Sequence, residues 1–276
     1  MSNFWKRGVT ILFGMPVIVA CAYWGGIPFM LLVLALALVS IHEFYNLMKL
    51  NEFYPAYWVG SLVTAFFIIT AYFATAYFAV QKSWEPAHSA IFTLAVIVTL
   101  GLGLYLHRPK NVTADVAVTL FGMIYVGWFY SYFLFIRALS PHGGYVFFLM
   151  ATIWAEDIAA YMVGRYFGKH KLFPSISPKK SWEGAIAGFL VCLAAAAIFS
   201  PFSGIAMVHA LILGAIIGIV APISDLVESI IKRDVGAKDS SELVPGHGGV
   251  LDRMDSFILT APVMYYYIVW IMGALN

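Results

Sequence analysis

The acidic and basic residues of this chain are concentrated in one stretch, from Asp225 to Asp255. The stretch holds seven of the chain's 14 acidic residues and four of its basic ones, so its net charge is −3. Those basic residues are Lys232, Arg233, Lys238 and Arg253. Because 62% of the chain is hydrophobic, such a concentration of charge requires a functional reason.

Helical spacing would place the acidic residues of this stretch on two helix faces. Asp225 shares a face with Glu228 and Ser229, and Asp252 shares another with Asp255. Carboxylate clusters suit hard cations such as Mg²⁺, and the sequence offers no Cys/His ligand set for zinc. The pattern therefore predicts a cation site.

Residues suited to phosphate lie between the two acidic groups. Lys232, Arg233 and Lys238 can neutralise phosphate oxygens, and an arginine can also bind them in a bidentate manner. Gly248 and Gly249 allow the backbone turns of an anion-binding nest. A net charge of −3 would repel a triphosphate unless cations bridge the two. We therefore expect a metal-dependent enzyme that acts on phosphates.

Two further polar groups precede the stretch. Asp157 lies about two turns before the end of an apolar helix, roughly 10 Å into it, where charges face a bundle interior or a wet cavity. A salt bridge to Arg165 is the structural alternative, and Glu156 points about 100° away on the helix. The basic loop that follows could simply anchor on anionic lipids, and Ser181 could cap the next helix.

The rest of the chain has the pattern of a polytopic helical membrane protein. Mean hydropathy is +0.87 and 11% of the residues are charged, against about 25% in soluble domains. Nine apolar runs are long enough to cross a hydrocarbon core as helices. They are 8–26, 27–47, 57–80, 89–106, 112–136, 143–164, 184–200, 204–226 and 250–275. We therefore expect an all-α fold.

The distribution of Lys and Arg predicts a cytoplasmic N-terminus. With nine spans, this orientation leaves only Lys82 and Arg137 of the 16 basic residues on the other side, where the C-terminus also lies. The charged stretch then faces the cytoplasm from the cell (inner) membrane. The expected parts are N-terminal helices 1–140 and a catalytic region 141–276 with cytoplasmic loops 165–183 and 227–250. A signal peptide in the first span is the less favoured alternative.

The first half of the chain carries few polar residues. His42-Glu43 and Asp115 are interpreted as helix-end or interface groups. In the second half, the pairs Gly184/Gly188 and Gly214/Gly218 have small-xxx-small spacing. This spacing predicts close packing inside the bundle, with dimerisation as the alternative.

Three motifs of the second half have the residue types and spacing of a known family. The longest is Ser229-x-Ile231-Lys232-Arg233-x4-Lys238-Asp239-x-Ser241-x3-Pro245-x-His247-Gly248-Gly249-Val250-x-Asp252-Arg253-Met254-Asp255. Upstream are Asp157-x3-Tyr161-x2-Gly164-Arg165-x2-Gly168-Lys169 and Ser177-Pro178-Lys179-Lys180-Ser181-Trp182-Glu183-Gly184. Together they resemble the phosphatidate cytidylyltransferases, the CDP-diacylglycerol synthases. The resemblance covers 157–256, and the first half matches in hydropathy alone.

This resemblance implies the reaction CTP + phosphatidate → CDP-diacylglycerol + diphosphate, by in-line attack of the lipid phosphate on the CTP α-phosphorus. Asp225 and Asp252 would hold Mg²⁺ and a second cation such as K⁺, with Asp255 and Asp239 as auxiliary ligands. The residues that would neutralise the phosphates are Lys232, Arg233, Lys238 and Arg253. His247 would shape the phosphate pocket. No strong general base is needed, because a phosphate monoester is largely dianionic near neutral pH.

The remaining expectations concern substrate contacts and partners. The expected substrate-binding residues are Ser229, Gly248, Gly249, Asp157, Arg165, Lys169, Ser177, Lys179, Lys180, Ser181 and Glu183. The expected partners are CTP, phosphatidate and membrane lipids, with no nucleic acid, and a homodimer stays open. Two other functions also stay open: another membrane phosphotransferase or lipid kinase, and a secondary transporter, which should carry charges near mid-membrane in both halves.

Overall fold

A computed structural model describes residues 3–77, 84–105, 111–243 and 248–273. In these ranges the chain is a helical bundle with one β-hairpin. The first half holds α1 (Asn3–Trp24), α2 (Gly26–Lys49), α3 (Tyr57–Tyr77), α4 (Trp84–Tyr105), α5 (Val112–Gly122) and α6 (Phe129–Ala138). The second half holds α7 (Gly144–Phe167), β1 (Lys171–Phe173), β2 (Ser177–Ser181), α8 (Trp182–Ser203), α9 (Met207–Asp234), α10 (Leu251–Ile258) and α11 (Thr260–Trp270). A π-helical turn, Met123–Trp128, joins α5 to α6, and a 3₁₀ turn, Pro141–Gly143, precedes α7.

Six helical segments of the described chain are long and apolar enough to cross a membrane. They are Gly26–Lys49, Tyr57–Thr75, Val112–Ala138, Pro141–Phe167, Trp182–Ser203 and Met207–Asp234. Two shorter apolar helices, Gly14–Trp24 and Ser89–Leu102, fall within two more of the predicted spans. The predicted span 250–275 is divided at Leu259 into α10 and α11. The predicted class, an all-α polytopic membrane protein, is confirmed, whereas nine spans and their orientation stay predictions.

Glycines bring α7, α8 and α9 close together. A Cβ atom on Gly184 would lie 2.6 Å from the carbonyl oxygen of Ala160 in α7. A Cβ atom on Gly214 would lie 2.6 Å from the Cβ atom of Ala196 in α8. Only residues without a side chain allow these approaches, so both pairs of glycines are used for packing inside the bundle.

The loop after α7 forms an antiparallel hairpin, which the sequence analysis did not predict. Lys171 lies opposite Ser181, and Phe173 lies opposite Ser177. Ser181 also caps α8, because its Oγ accepts a hydrogen bond from the Gly184 N–H at 3.2 Å, as predicted. The hairpin thus fixes this basic segment against the start of α8.

Candidate active site

A cavity of about 590 Å³ lies between α7, α8, α9 and the hairpin. Its volume is in the range of small-molecule sites, about 300–1,000 Å³. Six of the predicted site residues line it: Asp157, Arg165, Lys179, Lys180, Ser181 and Asp225. The structure therefore brings the upstream motifs and Asp225, the first residue of the charged stretch, to one place.

Acidic and basic side chains line different parts of this cavity. Its acids come from α7 and α9, whereas its bases come from the end of α7 and from the hairpin. These residues are Glu156, Asp157 and Asp225, and Arg165, Lys171, Lys179 and Lys180. The two sets meet where the Lys180 Nζ lies 2.8 Å from the Asp225 Oδ2. We call this space the open cavity.

The depth of the acids in the open cavity differs from the prediction. Helix α7 continues to Phe167, so Asp157 lies about 15 Å from its end rather than roughly 10 Å. Glu156, predicted to point elsewhere, also lines the cavity. It fits there because a Cβ atom on Gly188 would lie 2.7 Å from its Oε1. Among the described residues, none forms a hydrogen bond to the Glu156 Oε2.

Asp255 reaches the same region from α10. Its carboxylate interacts electrostatically with those of Asp225 and Asp157, and the Ser256 Oγ donates to the Asp157 Oδ1 at 3.5 Å. Ser224 in α9 donates to the main-chain oxygen of Asp255. Helices α7, α9 and α10 therefore bring the carboxylates of Asp157, Asp225 and Asp255 into one region.

Asp252 belongs to a separate, closed network. Its Oδ1 accepts a hydrogen bond from the Lys232 Nζ at 2.6 Å. Its Oδ2 accepts from the N–H of Gly249 at 2.7 Å, and from the N–H and Oγ of Ser240, both at 2.9 Å. The Lys232 Nζ also lies 2.5 Å from the Glu228 Oε2. Asp252, Lys232 and Glu228 are 6%, 8% and 0% exposed. We call this group the closed network.

These contacts bear on the predicted cation ligands. Within the described residues, no three His, Cys, Asp or Glu side chains form a cluster arranged to bind a metal. Asp157, Asp225 and Asp255 nevertheless supply carboxylate oxygens from three neighbouring helices, the donor type that Mg²⁺ prefers. These three carboxylates thus fit a magnesium ion by donor type. Asp252 lies apart from them, paired with Lys232 and hydrogen-bonded to Ser240 and Gly249.

Other predicted residues serve the framework around these two groups. The Arg233 guanidinium donates to the main-chain oxygens of Ala237 at 2.6 Å and Ile176 at 3.3 Å, so it ties the end of α9 to the hairpin turn. Glu183 accepts from the His170 Nδ1 at 2.6 Å. The Ser229 Oγ donates to Asp225 at 3.3 Å.

The last predicted residues lie at the edges of the site or outside the described chain. Gly248 has φ +81°, and a Cβ atom there would lie 2.7 Å from the Asp252 Oδ2. Ser177 begins β2. Four charged residues are exposed: Lys169, Lys238, Asp239 and Arg253. His247 lies outside the described residues.

Comparison with known proteins identifies the family. The model of the cytidylyltransferase family matches residues 5–271. The chain belongs to the cytidylyltransferase family. The phosphatidate cytidylyltransferase of Bacillus subtilis (strain 168) is 32% identical over 247 residues, which cover 88% of this chain and 89% of that protein. That of Synechocystis sp. (strain ATCC 27184 / PCC 6803 / Kazusa) is 29% identical over an alignment of 302 positions, gaps included, which covers 98% of each protein. That of Staphylococcus saprophyticus is 31% identical over 260 residues, which cover 94% of this chain and 96% of that protein. The family resemblance of the motifs is thereby confirmed.

Glu43 was interpreted as a helix-end or interface group, but its contact with the closed network was not predicted. Glu43 in α2 is 2% exposed and reaches the closed network through Ser240. An acid inside an apolar span is costly, and that cost was the available signal. Asp115 was interpreted correctly as an interface group, because it accepts from the Tyr54 N–H at 2.7 Å.

Proposed function

We propose that this chain is a phosphatidate cytidylyltransferase, which converts CTP and phosphatidate into CDP-diacylglycerol and diphosphate. The observation that carries the proposal is the open cavity, in which basic side chains of the hairpin and of the end of α7 meet acidic side chains from within the apolar helices α7 and α9. Such a reaction joins a polar nucleotide to a lipid, so its site needs charged groups next to the membrane. Relatives with this name cover most of the chain.

The basic side chains of the open cavity bind the phosphate groups. Arg165 at the end of α7 and Lys179 and Lys180 in the hairpin all line it. Arginine offers a planar fork of donors and lysine a compact charge, and both suit phosphate oxygens. Lys180 is already held by Asp225 at 2.8 Å, so its ammonium group is in position before a substrate arrives.

The acidic side chains of the open cavity hold Mg²⁺. Asp225 and Asp255, with Asp157 beside them, supply oxygen donors, and Asp252 remains a proposed further ligand. A second cation such as K⁺ belongs to the same proposal. When bound, such ions offset the negative charge of the triphosphate and of the departing diphosphate. The lipid phosphate needs no base from the protein, because it is largely dianionic near neutral pH.

The open cavity faces the cytoplasm in this proposal, and both halves of the chain support that. The Asn51 amide after α2 donates to the Asp234 main-chain oxygen at the end of α9 at 2.9 Å. Two segments predicted to be cytoplasmic therefore lie on one side. Arg137, predicted on the other side, donates to the Tyr23 main-chain oxygen at the end of α1 at 2.7 Å. Nine spans and a cytoplasmic N-terminus agree with this arrangement.

A homodimer remains part of the proposal but needs another surface. The paired glycines of α8 and α9 are used inside the bundle, where Gly184 faces Ala160 and Gly214 faces Ala196. These faces are therefore not available to a second copy. Chemical cross-linking in native membranes, with the monomer mass as reference, tests for a dimer on a different face.

The reaction is tested with purified protein, phosphatidate, Mg²⁺ and CTP labelled at either the α- or the γ-phosphate. Cytidylyl transfer leaves the α label in the lipid product, whereas a lipid kinase would leave the γ label there. We expect the α label alone in CDP-diacylglycerol, and no product with EDTA. A γ-labelled lipid, or a product that forms in EDTA, would contradict the proposal.

A further inference from the structure

We infer that Glu43, in the first half of the chain, is a positioning residue that holds the Asp252 end of the site in its working geometry. The inference rests on the proposed function, which places the long motif in the site. It goes beyond that function because Glu43 lies in α2, outside all three motifs and far from them in sequence.

Four hydrogen-bond donors of the long motif surround Glu43, and it shares one of them, the single hydroxyl proton of Ser240, with Asp252. Its Oε1 accepts from the Ser241 Oγ at 2.5 Å and the Val250 N–H at 3.1 Å. Its Oε2 accepts from the Leu251 N–H at 2.8 Å and the Ser240 Oγ at 3.2 Å. A buried carboxylate without partners would cost several kcal/mol, and four donors offset that cost. These contacts thus hold the Glu43 carboxylate in a fixed position.

Two of these bonds cap a helix from outside. The first N–H groups of a helix have no partner within it, and an anion near them is favoured by the helix dipole. Val250 precedes α10 and cannot cap it with its own side chain. Glu43 supplies the missing acceptor to Val250 and Leu251. Helix α10 carries Asp252 in its first turn, so the cap fixes the direction in which Asp252 projects.

One of the other two bonds links Glu43 to Asp252 through Ser240. The Ser240 Oγ contacts both the Glu43 Oε2 at 3.2 Å and the Asp252 Oδ2 at 2.9 Å. Gly249 lies against the same atoms, since a Cβ atom there would be 2.0 Å from the Ser240 Oγ and 2.6 Å from the Glu43 Oε2. The absence of a side chain at Gly249 lets the two carboxylates share this serine. Glu43 therefore acts on Asp252 through Ser240 and α10.

The test compares two Glu→Gln substitutions. Glu43→Gln keeps the shape but replaces one acceptor oxygen with an NH₂ group that faces two donors. Glu52→Gln makes the same chemical change at an exposed residue just after α2. Because loss of a supporting hydrogen bond in a site costs about ten- to hundred-fold, we expect Glu43→Gln to lower kcat by at least about ten-fold. Glu52→Gln should keep wild-type activity.

A spectroscopic readout separates positioning from loss of fold. A spin label at Glu242→Cys, in a protein with Cys21 and Cys192 replaced by alanine, reports the order of the exposed segment beside Ser241. We expect Glu43→Gln to raise the mobility of this label while the thermal unfolding temperature stays within a few degrees. Unchanged mobility together with unchanged kcat would overturn the inference.

A second variant covers the case in which Glu43→Gln does not accumulate in membranes. Ser241→Ala removes one of the four bonds and keeps Glu43. A fall in kcat of at least three-fold and a more mobile label support the inference, whereas wild-type kcat overturns it. If the wild type itself makes no CDP-diacylglycerol, the proposed function fails, and the label mobility still decides the role of Glu43.

Discussion

The ion pair of the open cavity is partly exposed to solvent, whereas the charged groups of the closed network are buried. In the open cavity, Lys180 and Asp225 form an ion pair whose side chains are 24% and 27% exposed. In the closed network, Lys232 lies between Glu228 and Asp252, with Glu228 fully buried. The first pair can exchange its partners for a phosphate or a cation without opening the protein. The charged groups of the closed network are buried inside the fold.

This difference separates two roles within the charged stretch from Asp225 to Asp255. Residues of that stretch occur in both regions, although sequence spacing alone assigned Asp225 and Asp252 to the same cation site. Asp225 lines the open cavity, whereas the Asp252 carboxylate accepts hydrogen bonds from Lys232, Ser240 and Gly249. We expect changes in the open cavity to reduce activity, and changes in the closed network to reduce stability as well.

The largest expected difference is between two Lys→Met variants. Lys232→Met leaves two buried carboxylates without their cation, which costs about 3–5 kcal/mol of unfolding free energy. Lys180→Met removes a partly exposed pair and should cost less than about 1 kcal/mol, although it lowers activity. Thermal unfolding in detergent, beside the CDP-diacylglycerol assay, measures both. Equal losses of stability would remove the distinction between the regions.

Asp225→Asn should abolish most of the activity and leave the fold intact. The substitution keeps the size of a side chain that lines the cavity but removes its charge. Loss of one group that stabilises developing charge lowers kcat by about 10²- to 10³-fold. Steady-state assays over a range of Mg²⁺ concentrations check this, with unfolding temperature as the control. Activity near that of the wild type would remove Asp225 from the cation site.

Gly249→Ala should disturb the closed network without touching the cavity. Its Cβ atom would overlap the Ser240 Oγ and Glu43, and overpacking of this kind costs about 1–3 kcal/mol. Gly14→Ala is the matched control, because nothing lies within 4 Å of a Cβ atom there. Unfolding temperatures of the two variants give the comparison. A Gly249→Ala protein as stable as the control would show that the closed network accommodates a side chain at this position and is not tightly packed.

Glu183→Gln should have the smallest effect. It weakens the contact with His170, whose side chain is 79% exposed, and Glu183 lies beside the hairpin rather than among the residues that line the cavity. We expect kcat to fall by less than about three-fold, since exposed pairs contribute little. A loss as large as that of Asp225→Asn would place Glu183 in direct contact with substrate.

The sequence predicted the helices and two acids of the open cavity, Asp157 and Asp225, because these follow from local patterns, whereas it directed Glu156 elsewhere. Apolar runs define helices in a membrane, and Asp157 and Asp225 stood out because charge there is costly. It could not predict that Glu43 would meet the long motif, because that contact joins residues about 200 positions apart. Nor could it show that Asp225 lines the open cavity whereas Asp252 pairs with Lys232. Sequence spacing does not determine which carboxylate contacts that lysine. The hairpin was missed because its strands are short and polar.

The central claim is that the open cavity receives the substrates. Ala185 lines it, so a cysteine at this position, in a protein without Cys21 and Cys192, places a thiol at the site. Ala138→Cys, exposed at the end of α6, is the control. We predict that a maleimide abolishes CDP-diacylglycerol synthesis by the Ala185→Cys protein alone, and that CTP with phosphatidate slows this labelling. A labelled Ala185→Cys protein that keeps full activity would contradict the claim.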